Sequence, residues 1–220
     1  SVYYKLSNLE GRKSEYVGIR SGINITRVLY EPFSSLNITT TTPMPWMLAS
    51  EIYFLRAEGA IRGWSMGGTA KDLYETGIST SFSEKGATLP SDYLSDDVSV
   101  PKNYIDYVTS SNNSSMDYAT SQATTTVNKW TIKWDDAANF ETKLHRIVMQ
   151  KWIALYLNGP EAWAEYRRTG YPRLLPISLN RSGGVVSSTF QVRRLPYPAA
   201  QYNKNAEQTS KAITLLGGPD

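Results

Sequence analysis

A chain of 220 residues with one histidine and no cysteine offers little to a nucleophilic mechanism. A Ser-His-Asp arrangement built on His145 would need its other members from afar, and no nucleophile motif surrounds it. Seated on a helical stretch beside Leu144, His145 reads as a packing or surface residue. A histidine metal site would lack a second ring, and cysteine-ligated zinc is excluded outright. Carboxylate pairs are the remaining catalytic option, because two acids at suitable separation hydrolyse glycosidic bonds. Asp96-Asp97, Asp135-Asp136 and Glu161/Glu165 are on offer. Asp135-Asp136 reads better as a helix cap, and Glu161/Glu165 as dipole and surface charge. Asp92, Asp96 and Asp97 carry carboxylates for calcium but no D-x-[DN]-x-[DN]-G loop. Arg167-Arg168 suit a helix C-terminus, and Arg193-Arg194 would point to opposite faces of a strand. The glycine pairs Gly67-Gly68, Gly183-Gly184 and Gly217-Gly218 match neither a P-loop nor a dinucleotide fingerprint. Neither a cofactor nor a catalytic residue is expected. The five sequons, at Asn24, Asn37, Asn112, Asn113 and Asn180, carry little weight in a chain so rich in Asn, Ser and Thr.

Composition points instead to binding. There are 15 Tyr and 6 Trp against 5 Phe. Tyr and Trp pair an apolar body with a polar tip, which suits half-wet surfaces that stack sugars or peptides. Net charge is +3, from 23 basic and 20 acidic residues. The charges are interspersed, without the basic stripe that tracks phosphates. No stretch approaches the roughly 20 apolar residues of a membrane span, and the first residues lack the charged and apolar regions of a signal peptide.

The elements that must position such residues are helical pairs. In 46–64, Leu48, Ile52, Leu55 and Gly59 fall on one face and Ala49, Tyr53, Ala57, Ala60 and Trp64 on another. Glu58 precedes Arg62 by four residues, as an exposed pair should. Gly67-Gly68 turn the chain, Thr69 and Asp72 form a capping signature, and Ala70, Leu73, Tyr74, Gly77, Ile78, Ser81 and Phe82 repeat at helical spacing. A second pair occupies about 135–169. Its first helix starts at Asp135 or Asp136 and buries Phe140, Leu144, Ile147, Val148, Trp152 and Leu155. The apolar run 152–157 should be buried all round. Asn158-Gly159 stops it, Pro160 opens the next helix, and Trp152, Trp163 and Tyr166 should join the two. Residues 1–45 suggest short strands at 1–7, 16–20 and 23–30. The polar insertion 86–134 is too long for an ordinary connection, and long loops on rigid scaffolds collect binding residues. The tail 170–220 should run extended, with a strand at 188–195 and one helical turn at 211–216.

Taken in order, PMPWMLASEIYFLRAEGAIRGW, GGTAKDLYETGI, QKWIALYLNGPEAWAEYRRTGYP, RRLPYP and LLGGPD resemble the SusD/RagB-type nutrient-binding lipoproteins of Bacteroidetes outer membranes. They cover about the last four-fifths of the sequence. The resemblance implies a mainly α fold of tetratricopeptide-like helical hairpins, with long irregular insertions and minor β. It also implies a lipid-anchored cell-surface protein that binds glycans or other nutrients and delivers them to a TonB-dependent, SusC-like transporter, without catalysis or nucleic-acid binding. Family members are about twice this length, so the sequence is expected to be a C-terminal portion. The quoted motifs are scaffold in that family. Ligand contacts are therefore sought in the insertion, where the candidates are Tyr104, Tyr107, Tyr118 and Trp130. Two other functions stay open: a tetratricopeptide-type adaptor for a protein or peptide, and a glycosidase using Asp96 or Asp97.

Overall fold

The computed structural model describes residues 4–5, 16–17, 38–100, 130–177, 180–192 and 195–217. The chain divides into two compact units, one of residues 1–35, 106–115 and 175–220, the other of 36–105 and 116–174.

In the second unit, helices α1 (Ala49–Ile61) and α2 (Ala70–Glu84) form the expected hairpin. Gly67 turns the chain at φ 73°, and Thr69 caps α2 by accepting from the Asp72 amide at 3.1 Å. The other end is closed from within. Glu84, the last residue of α2, accepts from the amide of Ala49 at 2.7 Å and from the Ser50 hydroxyl at 2.5 Å. Orphan donors at one helix N-terminus are thus satisfied by a carboxylate from its partner.

The buried face of α1 differs from the expected one. Phe54 and Ala57 are fully buried with Ser50, Glu51 and Glu58, whereas Ile52 and Leu55 are exposed. The reason lies across the hairpin. Gly77 has no side chain, and the Phe54 ring fills the space a Cβ would take. The α2 face is as expected, with Leu73, Tyr74, Gly77 and Ile78 buried.

Helix α3 (Phe140–Ala154) packs on both α1 and α2, so that Phe54, Ala57, Leu73, Tyr74, Ile78, Trp134, Ile147 and Ala154 make one core. Its cap is Asn139, which accepts from the Thr142 amide at 2.9 Å, and not Asp135 or Asp136. Asp135 instead closes a turn onto the Ala137 amide, and Asp136 accepts from the Trp134 indole at 2.7 Å. Phe140 is exposed beneath the Arg62 guanidinium, contrary to its expected burial.

The apolar run at the end of α3 is not buried all round. Ile153, Tyr156 and Leu157 face solvent, while Lys151 is the residue that is shut in. Leu157, at φ 75°, takes the left-handed position expected of Asn158 or Gly159. Asn158 is freed to cap helix α4 (Gly159–Thr169), which ends on Gly170 at φ 74°. In α4 Tyr166 is buried, but Trp163 lies exposed with the Arg167 guanidinium 4.5 Å from its ring centre.

In the first unit, β1 (Tyr4–Lys5) pairs antiparallel with β2 (Tyr16–Val17). The expected strand at 23–30 lies outside the described residues. Where a strand was expected from Ser188, the chain makes a tight turn bridged from Ser187 to Gln191. The Ser187 hydroxyl accepts from the amides of Thr189 and Phe190, and a side chain that serves the backbone in this way favours a turn over a ladder. Asn180 braces the preceding loop, donating to the Val186 carbonyl at 2.6 Å. The tail then holds two helices, α5 (Ala199–Lys204) and α6 (Ala206–Leu215), where a single turn was expected. Among the described residues no helix is long and apolar enough to cross a membrane.

Candidate site at the neck of the insertion

The insertion leaves the scaffold near residue 97 and returns near 133, and its two ends are tied together. The Lys133 amide donates to the Asp96 carbonyl at 2.9 Å, and the Lys133 ammonium meets Asp97 at 2.8 Å. Inside this neck, two groups of the helical core reach up to the returning strand. Tyr74 of α2 donates its hydroxyl to the Ile132 carbonyl at 2.8 Å, and Arg146 of α3 donates Nε to the Thr131 carbonyl at 3.3 Å. Tyr74 is buried against Phe54 and Trp134, and burial holds its phenol well above the ordinary tyrosine range. A third tie joins the outgoing side, where the Tyr93 hydroxyl bonds Gln150 of α3 at 3.2 Å.

These contacts place Trp130. It is 44% exposed, and its ring meets His145 edge-on at 5.8 Å between centres. His145 stacks in turn on Tyr171 at 4.5 Å and 15°, and Tyr171 donates to Glu141 at 2.8 Å. Burial, then the guanidiniums of Arg173 and Arg146, push the His145 imidazole down to about 4. It is neutral at pH 7 and serves as a flat wall of the cluster. Of the four aromatic candidates, only Trp130 falls among the described residues. Tyr104, Tyr107 and Tyr118 lie outside them.

The carboxylates considered for hydrolysis have other occupations. Asp96 accepts from the amides of Val98 and Ser99, chiefly the latter, and Asp97 is bonded to Lys133. Both are held below the ordinary carboxylate range by these bonds, the reverse of what a general acid needs. Among the described residues, no group of three or more His, Asp or Glu is arranged to hold a metal ion.

Glu161 and Glu165 belong to an ionic seam below the neck. Lys151, 2% exposed, meets Glu165 at 2.6 Å, Glu51 at 3.3 Å and Glu161 at 3.7 Å. Arg168 grips Glu58 through both nitrogens at 2.6 and 2.5 Å and also meets Glu165. Arg62 meets Glu58 at 2.7 Å, so that pair is buried on its acid side and not simply exposed. The seam joins α1, α3 and α4. Sequence reading missed it and Arg146 alike. The one available signal for Arg146 was a charge set among the apolar positions Leu144, Ile147 and Val148.

The model of the SusD-like family, described as SusD and RagB outer membrane lipoprotein, matches residues 1–220. The chain belongs to the SusD-like family. A chitin-binding SusD homologue from Flavobacterium johnsoniae is 39% identical, with all of this chain aligned to 43% of that one and a TM-score of 0.72. A SusD homologue from Bacteroides uniformis is 42% identical over the whole chain and 44% of its own length, with a TM-score of 0.73. One from Bacteroides vulgatus is 36% identical over the whole chain and 43% of its own length, with a TM-score of 0.75. This chain therefore spans less than half the length of those solved relatives. No curated protein matches it.

Proposed function

We propose that the protein works at the outer-membrane surface as a lipid-anchored binder that captures glycans and hands them to a TonB-dependent transporter. It binds without catalysing. The observation that carries this reading is the likeness, over the full chain, to a SusD homologue described as chitin-binding. The neck gives the reading a physical basis. A half-exposed Trp130 is fixed by buried hydrogen bonds at the base of a polar insertion, and sugar C–H faces pack on such rings. Trp130 is the first candidate for a ligand contact, followed by Tyr104, Tyr107 and Tyr118 from the insertion.

Calorimetric titration against a panel of chitin, xylan, starch and pectin oligosaccharides tests it. At least one should bind, and Trp130→Ala should weaken that binding about tenfold without lowering the melting temperature by more than a few degrees. If none binds while the transporter is still captured, the protein is an adaptor and not a glycan receptor.

A further inference from the structure

Arg146 is buried to 9% exposure, and among the described residues it has no carboxylate partner. Its Nε has the Thr131 carbonyl, at the long distance of 3.3 Å, while its Nη1 is buried with no acceptor at all. A guanidinium is always charged, and shutting one away uncompensated is among the more costly things a fold can do. The remainder of this scaffold avoids that cost: buried Lys151 meets three carboxylates, and half-buried Arg168 meets two. Arg146 is the exception, and it sits at the neck, one residue from His145, whose ring carries Trp130.

The charge around it is also unbalanced. Arg173 acts on His145 from the same side as Arg146, with its guanidinium 5.0 Å from the Tyr171 ring centre. The carboxylate of the cluster, Glu141, is taken by the Tyr171 hydroxyl at 2.8 Å. Two guanidiniums and a neutral imidazole thus surround the foot of an exposed indole.

We propose that Arg146 receives an acidic group of the bound glycan, so that this site selects sugars bearing a carboxylate, such as uronates, with the sugar ring stacked on Trp130. This rests on the glycan-capture reading above and names its ligand class. A planar guanidinium with an unused N–H matches a carboxylate oxygen, and the apolar surroundings strengthen the contact.

The test is a pair of titrations of the protein, with tri-galacturonate and with chitotriose. Tri-galacturonate should bind the tighter of the two, and weaken as sodium chloride rises from about 0.05 to about 0.5 M. Arg146→Gln should lose about tenfold or more of the tri-galacturonate affinity and leave chitotriose unchanged. Tri-galacturonate affinity unaffected by the substitution overturns the proposal, as does a preference of the wild type for chitotriose. Where Arg146→Gln does not fold, the wild type decides: free glucuronate should displace bound tri-galacturonate and glucose should not, and equal displacement overturns it. Binding of chitotriose alone refutes acid selection and leaves glycan capture standing. Binding of no sugar in the panel refutes both.

Discussion

The ring of Phe54 lies where a side chain on Gly77 would begin: a Cβ there would come within 2.8 Å of it. Phe54 is fully buried, so the ring has nowhere to go. Gly77→Ala should therefore destabilise the hairpin despite alanine's helix advantage of about 1 kcal/mol. Overpacking costs about 1–3 kcal/mol, for a net loss of about 1–2 kcal/mol in urea denaturation. Shortening the ring with Phe54→Leu in the same chain should recover part of that loss. Simple addition of the two single effects would show that the contact is not what excludes a side chain.

Lys151 balances three carboxylates in a place water does not reach. Lys151→Met keeps the bulk and removes the charge, leaving Glu51, Glu161 and Glu165 facing one another. The expected cost is about 3–5 kcal/mol at pH 7. Without the ammonium those acids should hold their protons more tightly when folded than when unfolded. The cost should then shrink as pH falls toward 5, and denaturation at pH 7 and pH 5 measures it. A cost that does not change with pH would mean that the loss is packing alone.

Two glutamates of the same seam should respond to pH in opposite senses. Burial raises Glu51 above the ordinary 4.5, Lys151 opposes this, and nearby Glu161 adds to it. Its favourable contribution is present below about 4.5 and lost as pH climbs through the folded value. Glu51→Gln should therefore gain on the wild type as pH rises from about 4 to 7. Burial also pushes Glu58 upward, but Arg168 and Arg62 outweigh it and hold the acid below 4.5. Its contribution is present above about 4.5 and lost as pH falls through the lower folded value, so Glu58→Gln should be most damaging at neutral pH. Parallel pH profiles for the two variants would contradict this.

His145 supplies a third titration. Its folded value, about 4, lies below the ordinary 6.5, so the stability tied to its neutral form is complete above about 6.5 and drains away as pH falls toward 4. The loss should be on the order of 2–3 kcal/mol. His145→Phe keeps a flat ring against Tyr171 and should flatten that part of the profile. An imidazole NMR titration midpoint near 6.5 would place the ring in water and not in the stack.

How much of this the sequence shows depends on whether the deciding partner is near in the chain. The α2 face was legible because Thr69, Asp72, Leu73, Tyr74, Gly77 and Ile78 act at short range. The α1 face was not: Ile52 and Leu55 are as apolar as Phe54, and the choice is made by Gly77 on another helix. Charged residues misled for a related reason. Glu58 reads as half of an i,i+4 surface pair, yet its stronger partner, Arg168, is 110 residues away. Leu157 in the left-handed position follows no local preference, since Asn158 and Gly159 suit that conformation better.

The site was legible in kind and not in detail. An aromatic-bearing polar insertion announces itself by composition, and Trp130 was found that way. The neck depends on Asp96 meeting Lys133, and the buried supports on Tyr74 and Arg146 meeting two backbone carbonyls. Neither pairing leaves a periodic trace.

Those supports lead to a prediction that separates stability from binding. Tyr74→Phe removes only the hydroxyl that donates to Ile132, so the ring packing on Trp134 survives while a buried carbonyl loses its donor. Stability should fall by about 1–2 kcal/mol. Because Ile132 lies two residues from Trp130, the strand that presents the indole should also loosen, and glycan affinity should drop about two- to fivefold. Ile147→Val, which trims the same core and touches no neck carbonyl, should cost about 0.5–1.5 kcal/mol and leave affinity intact. Equal affinity losses in the two variants would mean that binding follows global stability, and that the Tyr74 hydrogen bond has no particular part in holding the neck.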